Sequence, residues 1–249
     1  MRLSARLVPV LFIPLALFGA ASCSTGTAAS PGAVQSADPA TSGATGTVNA
    51  NTTVAVRVTA TSAAIHADPD SASKVLSQVG PTTKLGSKTT LLALDVKSDW
   101  VEVALPVRPN GSTGWLKKSD VQLRTSTRAI TVDRATKKLV LSDNGEPILT
   151  TQVAIGSPQN PTPAGSFYVT DLLDTGNGNG AYGPFAFGLS GHSDTLSEFG
   201  GGDGQLGIHG TNEPDSIGQA VSHGCVRVPN DIVKQLVGLV PLGTPVTIS

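Results

Sequence analysis

Short β-type segments separated by turn residues dominate the chain from about Thr52 onward, and this pattern constrains the fold more than any other feature. In residues 52–124 the segments alternate or run apolar between Pro, Gly, Asn, Asp and Ser breaks, at 54–58, 89–96, 100–103 and 114–116. Short strands at such close spacing predict a small β-barrel. Pro109-Asn110-Gly111 predicts the hairpin turn between the last two strands, and the isolated His66 is interpreted as a loop residue.

The second unit, residues 128–249, is predicted to be mostly β with one substantial helix. A hairpin is expected at 129–133 and 138–141, further strands at 148–155 and 243–248, and a helix at 229–239 that Asn230 can cap. Eleven glycines fall between Asp174 and Gly207. Such a segment is either a functional loop over a site or a β-meander with glycine turns, and the sequence leaves both open.

The amino terminus has the pattern of a secretory signal. Arg2 and Arg6 precede an apolar run at 7–18, which is too short to span a bilayer, and small residues follow before Cys23. Residues 1–22 are therefore predicted to be a signal peptide. Residues 20–23 resemble a bacterial lipobox, so Cys23 is the predicted lipidation site. Ordinary signal cleavage, which would leave Cys23 as an exposed thiol, is the alternative.

Residues 23–51 are predicted to be a lipid-anchored flexible linker, because Ser, Thr, Gly, Ala and Pro dominate them and little in them can form a core. Secretion would place the folded part on the outer face of the cytoplasmic membrane, at the cell wall. The full chain carries 17 basic and 18 acidic residues. This weakly acidic balance argues against a nucleic-acid partner, which requires a clustered basic surface.

The span from His209 to Cys225 carries the residues for nucleophilic chemistry. A cysteine becomes a strong nucleophile when it loses its proton, and a nearby imidazole is a common base for that step. Gly210 and Gly224 allow sharp turns that can direct backbone N–H groups into a pocket. A zinc site at His209, His223 and Cys225 is the alternative, but the i, i+2 spacing of the last two does not fit known zinc patterns. No metal or other cofactor is therefore predicted.

These residues resemble the active-site signature of the L,D-transpeptidases, the YkuD-domain family that cross-links bacterial peptidoglycan. His209-Gly210 followed by Ser222-His223-Gly224-Cys225 is similar to the family motif, and residues 153–156 and 162–167 resemble its upstream strand and Thr-Pro-x-Gly turn. The family position after Val226 is Asn in many members and Arg in others, and here it is Arg227. The resemblance covers residues 128–249 and implies a β-sandwich with one main helix.

The resemblance implies that Cys225 is the nucleophile and His209 the base, with the carbonyl of Gly210 orienting the imidazole. Backbone N–H groups around His223, Gly224 and Cys225 would form the oxyanion hole. The remaining residues have supporting roles: Ser222 and His223 would brace the turn, and Arg227 would meet a substrate carboxylate or cap a nearby element. The substrates would be peptidoglycan stem peptides joined by 3→3 cross-links, and a carbapenem would acylate Cys225.

Four residues of the glycine-rich segment are predicted to face the substrate: Tyr182, Phe185, Phe187 and His192. In the first unit, residues 100–103 and 114–116 resemble a bacterial SH3-like domain, which suggests binding to cell-wall polymer. Two further functions stay open. An L,D-carboxypeptidase would pass the same acyl group to water, and a non-catalytic wall-binding lipoprotein would need only the first unit.

Overall fold

Strands dominate the computed structural model, which describes residues 51–198 and 202–249. The predicted fold class, mainly β with one main helix, is confirmed. The predicted signal peptide, the lipidation site Cys23 and all of the linker except residue 51 lie outside the described residues. In the described residues, no helix combines the length and the apolar character that crossing a membrane requires.

The first sheet has seven strands in the order β3-β2-β6-β5-β4-β1-β7, and every pair is antiparallel. Its strands are β1 (Thr53–Val58), β2 (Ala63–His66), β3 (Val75–Val79), β4 (Thr90–Val96), β5 (Trp100–Ala104), β6 (Thr113–Lys117) and β7 (Val121–Ser126). The sequence pattern predicts β1, β4, β5 and β6. It misses β3 and β7 because these are the two edge strands, whose side chains are mostly exposed and so lack apolar alternation.

The interpretation of His66 as a loop residue is wrong. It is the last residue of β2 and is buried, and its ring meets Trp100 edge-on with the ring centroids 5.1 Å apart. The imidazole therefore takes part in the packing of the first sheet. The sequence did not predict this strand because four residues are too few to show the alternation of apolar and polar side chains.

The second sheet has eight strands in the order β10-β9-β8-β17-β12-β13-β14-β16, and a separate parallel pair joins β11 to β15. The strands are β8 (Arg128–Asp133), β9 (Lys138–Asp143), β10 (Glu146–Gln152), β11 (Ile155–Gly156), β12 (Gly165–Asp174), β13 (Phe185–His192), β14 (Gln205–His209), β15 (Ala220–Ser222), β16 (Val226–Arg227) and β17 (Pro245–Ile248). The predicted hairpin corresponds to β8 and β9. The last strand, β17, lies between β8 and β12 and is parallel to β8.

The glycine-rich segment contributes two strands of this sheet. β12, β13 and β14 are consecutive antiparallel neighbours, so the β-meander is the alternative that the structure shows. The connections between these strands lie at 175–184 and 193–204. Thr175 and Tyr182 of the first connection and residues 202–204 of the second line a cavity of the site described below.

Helix α1 (Asn230–Leu239) follows β16 directly and packs against β13. It buries Val233 and Leu236. The expectation that Asn230 caps the helix is wrong, because the N-cap is Pro229 and no side chain caps it. The Asn230 amide instead accepts a hydrogen bond from the backbone N–H of Thr211 at 2.8 Å, so it holds the segment after β14.

Each sheet has its own apolar core, but one side chain connects them. Tyr168 lies on β12 in the second sheet, is fully buried, and packs in the core of the first sheet with Val56, Leu91 and Leu116. Its hydroxyl donates to the carbonyl of Ala104 at 3.0 Å, and burial raises the pKa of the phenol. The described residues accordingly belong to one compact unit.

Candidate active site

A parallel strand pair brings the two halves of the His-Gly and Ser-His-Gly-Cys motif together. β14 and β16 pair so that Ile208 lies opposite Val226 and His209 opposite Arg227. The same register places Gly207 beside Cys225, whose sulfur accepts a hydrogen bond from the backbone N–H of Gly207. A thiol and an imidazole that are sixteen positions apart in the chain thus become neighbours across one ladder.

The Cys225 thiol is protonated at neutral pH in this environment. Burial raises its pKa above the ordinary thiol value, while the Gly207 N–H and the positive charge of Arg227 act in the opposite direction without cancelling the effect. Cys225 is a free cysteine. Nucleophilic attack by this sulfur would therefore require a base that removes its proton.

His209 is a neutral base with a defined tautomer. Its Nδ1 lies 2.6 Å from the carbonyl oxygen of Gly210, and because a carbonyl can only accept, Nδ1 must carry the proton. Nε2 consequently keeps its lone pair. Burial lowers the pKa of the imidazole to about 4; the Gly210 hydrogen bond opposes this shift and the charge of Arg227 adds to it. The resting pair is a thiol and a neutral imidazole, and the thiolate forms only as His209 takes up the proton.

The turn before Cys225 is held by one hydroxyl group. Ser222 is buried, and its Oγ donates to the Cys225 carbonyl at 2.6 Å and accepts from the Gly224 N–H at 3.1 Å. Gly224 has a φ of 119°, a conformation that side-chain-bearing residues rarely adopt. Because Ser222 occupies the Gly224 N–H, this group is not available to an oxyanion. The Cys225 N–H has no acceptor among the described residues and is the available donor at the turn.

Thr162 fixes the orientation of that donor. Its side chain is buried, and Oγ1 donates to the Gly224 carbonyl at 2.8 Å while accepting the Gly156 N–H at 2.8 Å. A trans peptide holds its C=O and N–H on opposite sides, so anchoring the Gly224 carbonyl directs the Cys225 N–H away from Thr162. The Thr-Pro-Ala-Gly motif contains this residue, but motif position alone does not reveal that it touches the cysteine turn.

Gly210 is needed because of close packing. A Cβ atom at this position would lie 2.3 Å from Oδ1 of Asn230 and 3.0 Å from Cδ of Pro184. Any side chain would therefore displace Asn230 and the segment before β13. The carbonyl that orients His209 would move with them.

Two cavities meet at Cys225 and His209. One, of about 460 Å³, and another, of about 240 Å³, share the walls formed by Tyr182, His209 and Cys225. The Tyr182 ring lies edge-on to His209 with centroids 4.8 Å apart, and burial, with a contribution from Cys225, raises the pKa of the phenol. The larger of the two is called the meander cavity below, because β13 and β14 line it, and the smaller is called the turn cavity, because Ser222 and His223 line it.

The other predicted site residues are distributed unevenly. Phe187 lines the meander cavity from within the core, and Phe185 packs at the edge of that core. His192 is buried at the far end of β13, lines neither of the two cavities, and has its Nε2 3.3 Å from Asp203. The structure therefore brings Tyr182 and Phe187 to the walls shared with Cys225 and His209 but leaves His192 apart from them.

Arg227 lies beside the pair and is itself paired. Its Nη1 is 2.5 Å from Oε2 of Glu213, and Arg227 lines the turn cavity. The sequence suggested a substrate carboxylate or a nearby element as its partner, and the carboxylate in the structure is Glu213. A substrate carboxylate would have to compete with this ion pair. Within 51–198 and 202–249 no cluster of three or more His, Cys, Asp or Glu side chains is arranged to hold a metal ion.

Part of the chain is similar in sequence to known proteins. Residues 127–248 match the sequence profile of the YkuD family, described as the L,D-transpeptidase catalytic domain. The chain is 38% identical over 120 residues to the putative L,D-transpeptidase YkuD of Bacillus subtilis, a match that covers 48% of this chain and 65% of the relative. It is 56% identical over 39 residues to the probable L,D-transpeptidase YbiS of Escherichia coli, covering 16% of this chain and 13% of the relative.

Among solved structures, a crystal structure of Enterococcus faecium L,D-transpeptidase is similar at 27% identity and a TM-score of 0.38, with 49% of each chain covered. The chain spans less than two thirds of the length of the curated relatives that it matches. The likeness to known proteins is confined to the second unit: residues 127–248 match the L,D-transpeptidase catalytic domain of the YkuD family.

Proposed function

We propose that this protein is an L,D-transpeptidase that forms 3→3 peptidoglycan cross-links through an acyl-enzyme on Cys225. The observation that carries the proposal is the geometry of the pair: a neutral His209 with its Nε2 lone pair available, and a free thiol, on walls shared by two cavities. Two cavities suit a reaction in which an acyl donor and an amine acceptor must reach one sulfur. The family of residues 127–248 supports the same reaction class.

In the first half-reaction, Cys225 attacks the carbonyl carbon of the donor peptide at the L-centre of diaminopimelate. His209 takes the thiol proton at Nε2 as the S–C bond forms, and the developing oxyanion accepts a hydrogen bond from the Cys225 N–H. When the C–N bond breaks, His209 returns this proton to the leaving D-Ala amine. The products are a thioester and free D-Ala, and His209 is neutral again.

In the second half-reaction, the side-chain amine of another stem peptide attacks the thioester. His209 accepts a proton from this amine and delivers it to the sulfur as the C–S bond breaks, which restores the thiol. If water attacked in place of the amine, the same residues would catalyse an L,D-carboxypeptidase reaction. The geometry of the pair is compatible with both, so the acceptor must be identified by experiment.

The surrounding assignments belong to the same proposal. We propose that residues 1–22 direct secretion, that Cys23 carries a lipid, and that residues 23–51 tether the folded part at the cell wall. We further propose that residues 52–124 act as an SH3-like domain that binds cell-wall polymer. A non-catalytic wall-binding lipoprotein would have no use for a buried imidazole with a fixed tautomer beside a free thiol.

The test is mass spectrometry of stem tetrapeptides incubated with the protein, together with intact-mass measurement of the protein after exposure to a carbapenem. We expect a cross-linked dimer with loss of D-Ala, and one carbapenem adduct on the wild type. Cys225→Ala should form neither product. His209→Ala should slow both reactions by about 10²–10⁴-fold, the usual contribution of a general base.

Each alternative has its own result. Tripeptide without dimer would identify a carboxypeptidase, and no product with a folded wild type would favour the non-catalytic role. A carbapenem adduct on Cys225→Ala would refute the nucleophile assignment. A folded His223→Ala variant that lost as much activity as His209→Ala would mean that the base is misassigned.

A further inference from the structure

One loop of the first sheet reaches the meander cavity. The connection between β3 and β4 carries Leu85, which lines this cavity together with Cys225 and His209. Leu85 is 49% exposed, whereas a leucine that belongs to an apolar core is normally buried. Its side chain therefore contributes apolar surface to the wall of a cavity that also holds the nucleophile.

The loop that carries Leu85 is fixed to the catalytic domain by two side chains. Oγ1 of Thr83 donates to Oδ1 of Asp171 at 2.5 Å, and the backbone N–H of Leu172 donates to Oγ of Ser87 at 3.2 Å. Asp171 is only 3% exposed, and the contact is partly buried. A backbone hydrogen bond from the N–H of Thr83 to the carbonyl of Ser87, at 2.8 Å, closes the loop. Leu85 thus projects from a constrained loop.

The chemistry of the meander cavity matches an aliphatic peptide segment. Besides Leu85, the wall includes the apolar side chains of Leu173, Ala186, Phe187 and Leu206. The turn cavity, in contrast, is lined by Arg227, His223 and Ser222. A stem peptide that delivers its carbonyl to Cys225 has aliphatic portions to bury, and the meander cavity is the larger of the two.

We infer that Leu85 is a binding residue for the acyl-donor peptide, so that the first β unit supplies one wall of the donor groove. The inference rests on the proposed function and extends it, because the first unit then acts in substrate recognition as well as in any attachment to the wall. The occupant is the peptide on the donor side of the scissile bond. Its aliphatic segment packs against Leu85 while its carbonyl carbon lies at the sulfur.

The test compares Leu85→Ala with Leu94→Ala. Leu94 lies on β4 of the same sheet, is 52% exposed, and lines neither the meander cavity nor the turn cavity. The measurement is the rate of acylation of Cys225, followed by intact mass, against the concentration of a stem tetrapeptide. For Leu85→Ala we expect the half-saturating concentration to rise about 5- to 10-fold with an unchanged maximal rate, because truncation removes about three apolar groups, about half of whose surface is exposed for a peptide to cover.

Leu94→Ala should match the wild type, and the two variants should share one melting temperature. Thr83→Val, which removes the bond to Asp171, should raise the half-saturating concentration in the same way as Leu85→Ala. If the wild type is acylated but Leu85→Ala behaves like Leu94→Ala, the inference is wrong and the proposed function stands. If only the dependence on the amine acceptor changes, the inference is also wrong. A wild type that no donor acylates would instead remove the proposed function.

Discussion

Replacing Thr162 with Val tests whether one buried hydroxyl group both stabilises the domain and orients the cysteine turn. Valine has nearly the shape of threonine, so the change leaves the packing intact and removes Oγ1 alone. The Gly156 N–H and the Gly224 carbonyl, each 2.8 Å from that oxygen, then lose this partner. Thr162 is 1% exposed, so water cannot easily take its place.

The magnitude follows from the two groups left without the hydroxyl. An unsatisfied buried donor or acceptor costs about 1–3 kcal/mol, so the variant should lose about 2–6 kcal/mol of unfolding free energy. For a unit of this size, each 1 kcal/mol lowers Tm by about 2–4 °C. Because the Gly224 carbonyl is no longer held in the variant, the Cys225 N–H is less well directed. For comparison, complete loss of one oxyanion-hole donor costs about 10²–10³-fold in kcat. Misorientation should cost less, about 10- to 100-fold.

The assay pairs thermal unfolding with the maximal rate of Cys225 acylation by a tetrapeptide or a carbapenem. Thr162→Ser is the matched control, because it keeps the hydroxyl and loses only a methyl group. We expect Thr162→Ser to retain most of the rate and Thr162→Val to lose it with little change in KM. A Thr162→Val variant with wild-type Tm and rate would refute the bridging role. A loss of rate that Thr162→Ser shared would assign the effect to packing.

Two further predictions concern pH and the contact between the sheets. The pKa of His209 is lowered to about 4 in the folded state, below its ordinary value of 6.5, so its contribution to stability is fully present above pH 6.5 and is lost as pH falls to about 4. The loss in unfolding free energy should reach about 3 kcal/mol. The Tm difference between the wild type and His209→Gln should therefore change across this pH range. A constant Tm difference would contradict the burial of a neutral imidazole. Arg108 donates to the carbonyls of Ser193, Leu196 and Asp203 at 2.6, 2.8 and 3.0 Å, so Arg108→Ala should speed proteolytic cleavage at 193–198 several-fold. Arg124→Ala removes a guanidinium whose hydrogen-bond partner in residues 51–198 and 202–249 is Gln122. This control should not speed cleavage, and equal cleavage of both variants would show that Arg108 does not restrain this segment.

Much of the fold could be predicted because many strands have one buried face. β8, β9 and helix α1 show their period in the sequence, since residues on one side meet a core and residues on the other meet water. The edge strands β3 and β7 escaped prediction because backbone pairing holds them and their side chains are mostly exposed. Asn230 has the residue type of a cap, but its amide is used by Thr211, nineteen positions earlier in the chain.

The chemistry of Cys225 and His209 could be proposed from the sequence because residue type and spacing restrict what a thiol, an imidazole and flanking glycines can do. Their protonation states could not. Burial and the charge of Arg227 make the imidazole a neutral base, and these depend on the surrounding fold. His192 has the right residue type for a site, but the length of β13 places it away from the catalytic pair.

The sequence by itself determined the fold class, the motif and the identity of the catalytic pair proposed here, because periodicity and local spacing are properties of neighbouring residues. Only the tertiary structure decided what surrounds that pair. Thr162 meets Gly224 across 62 positions, Tyr168 enters the core of the other sheet, and Leu85 reaches the cavity of Cys225 from the first unit. Such contacts follow from how complete sheets pack, and no short segment of sequence carries that information.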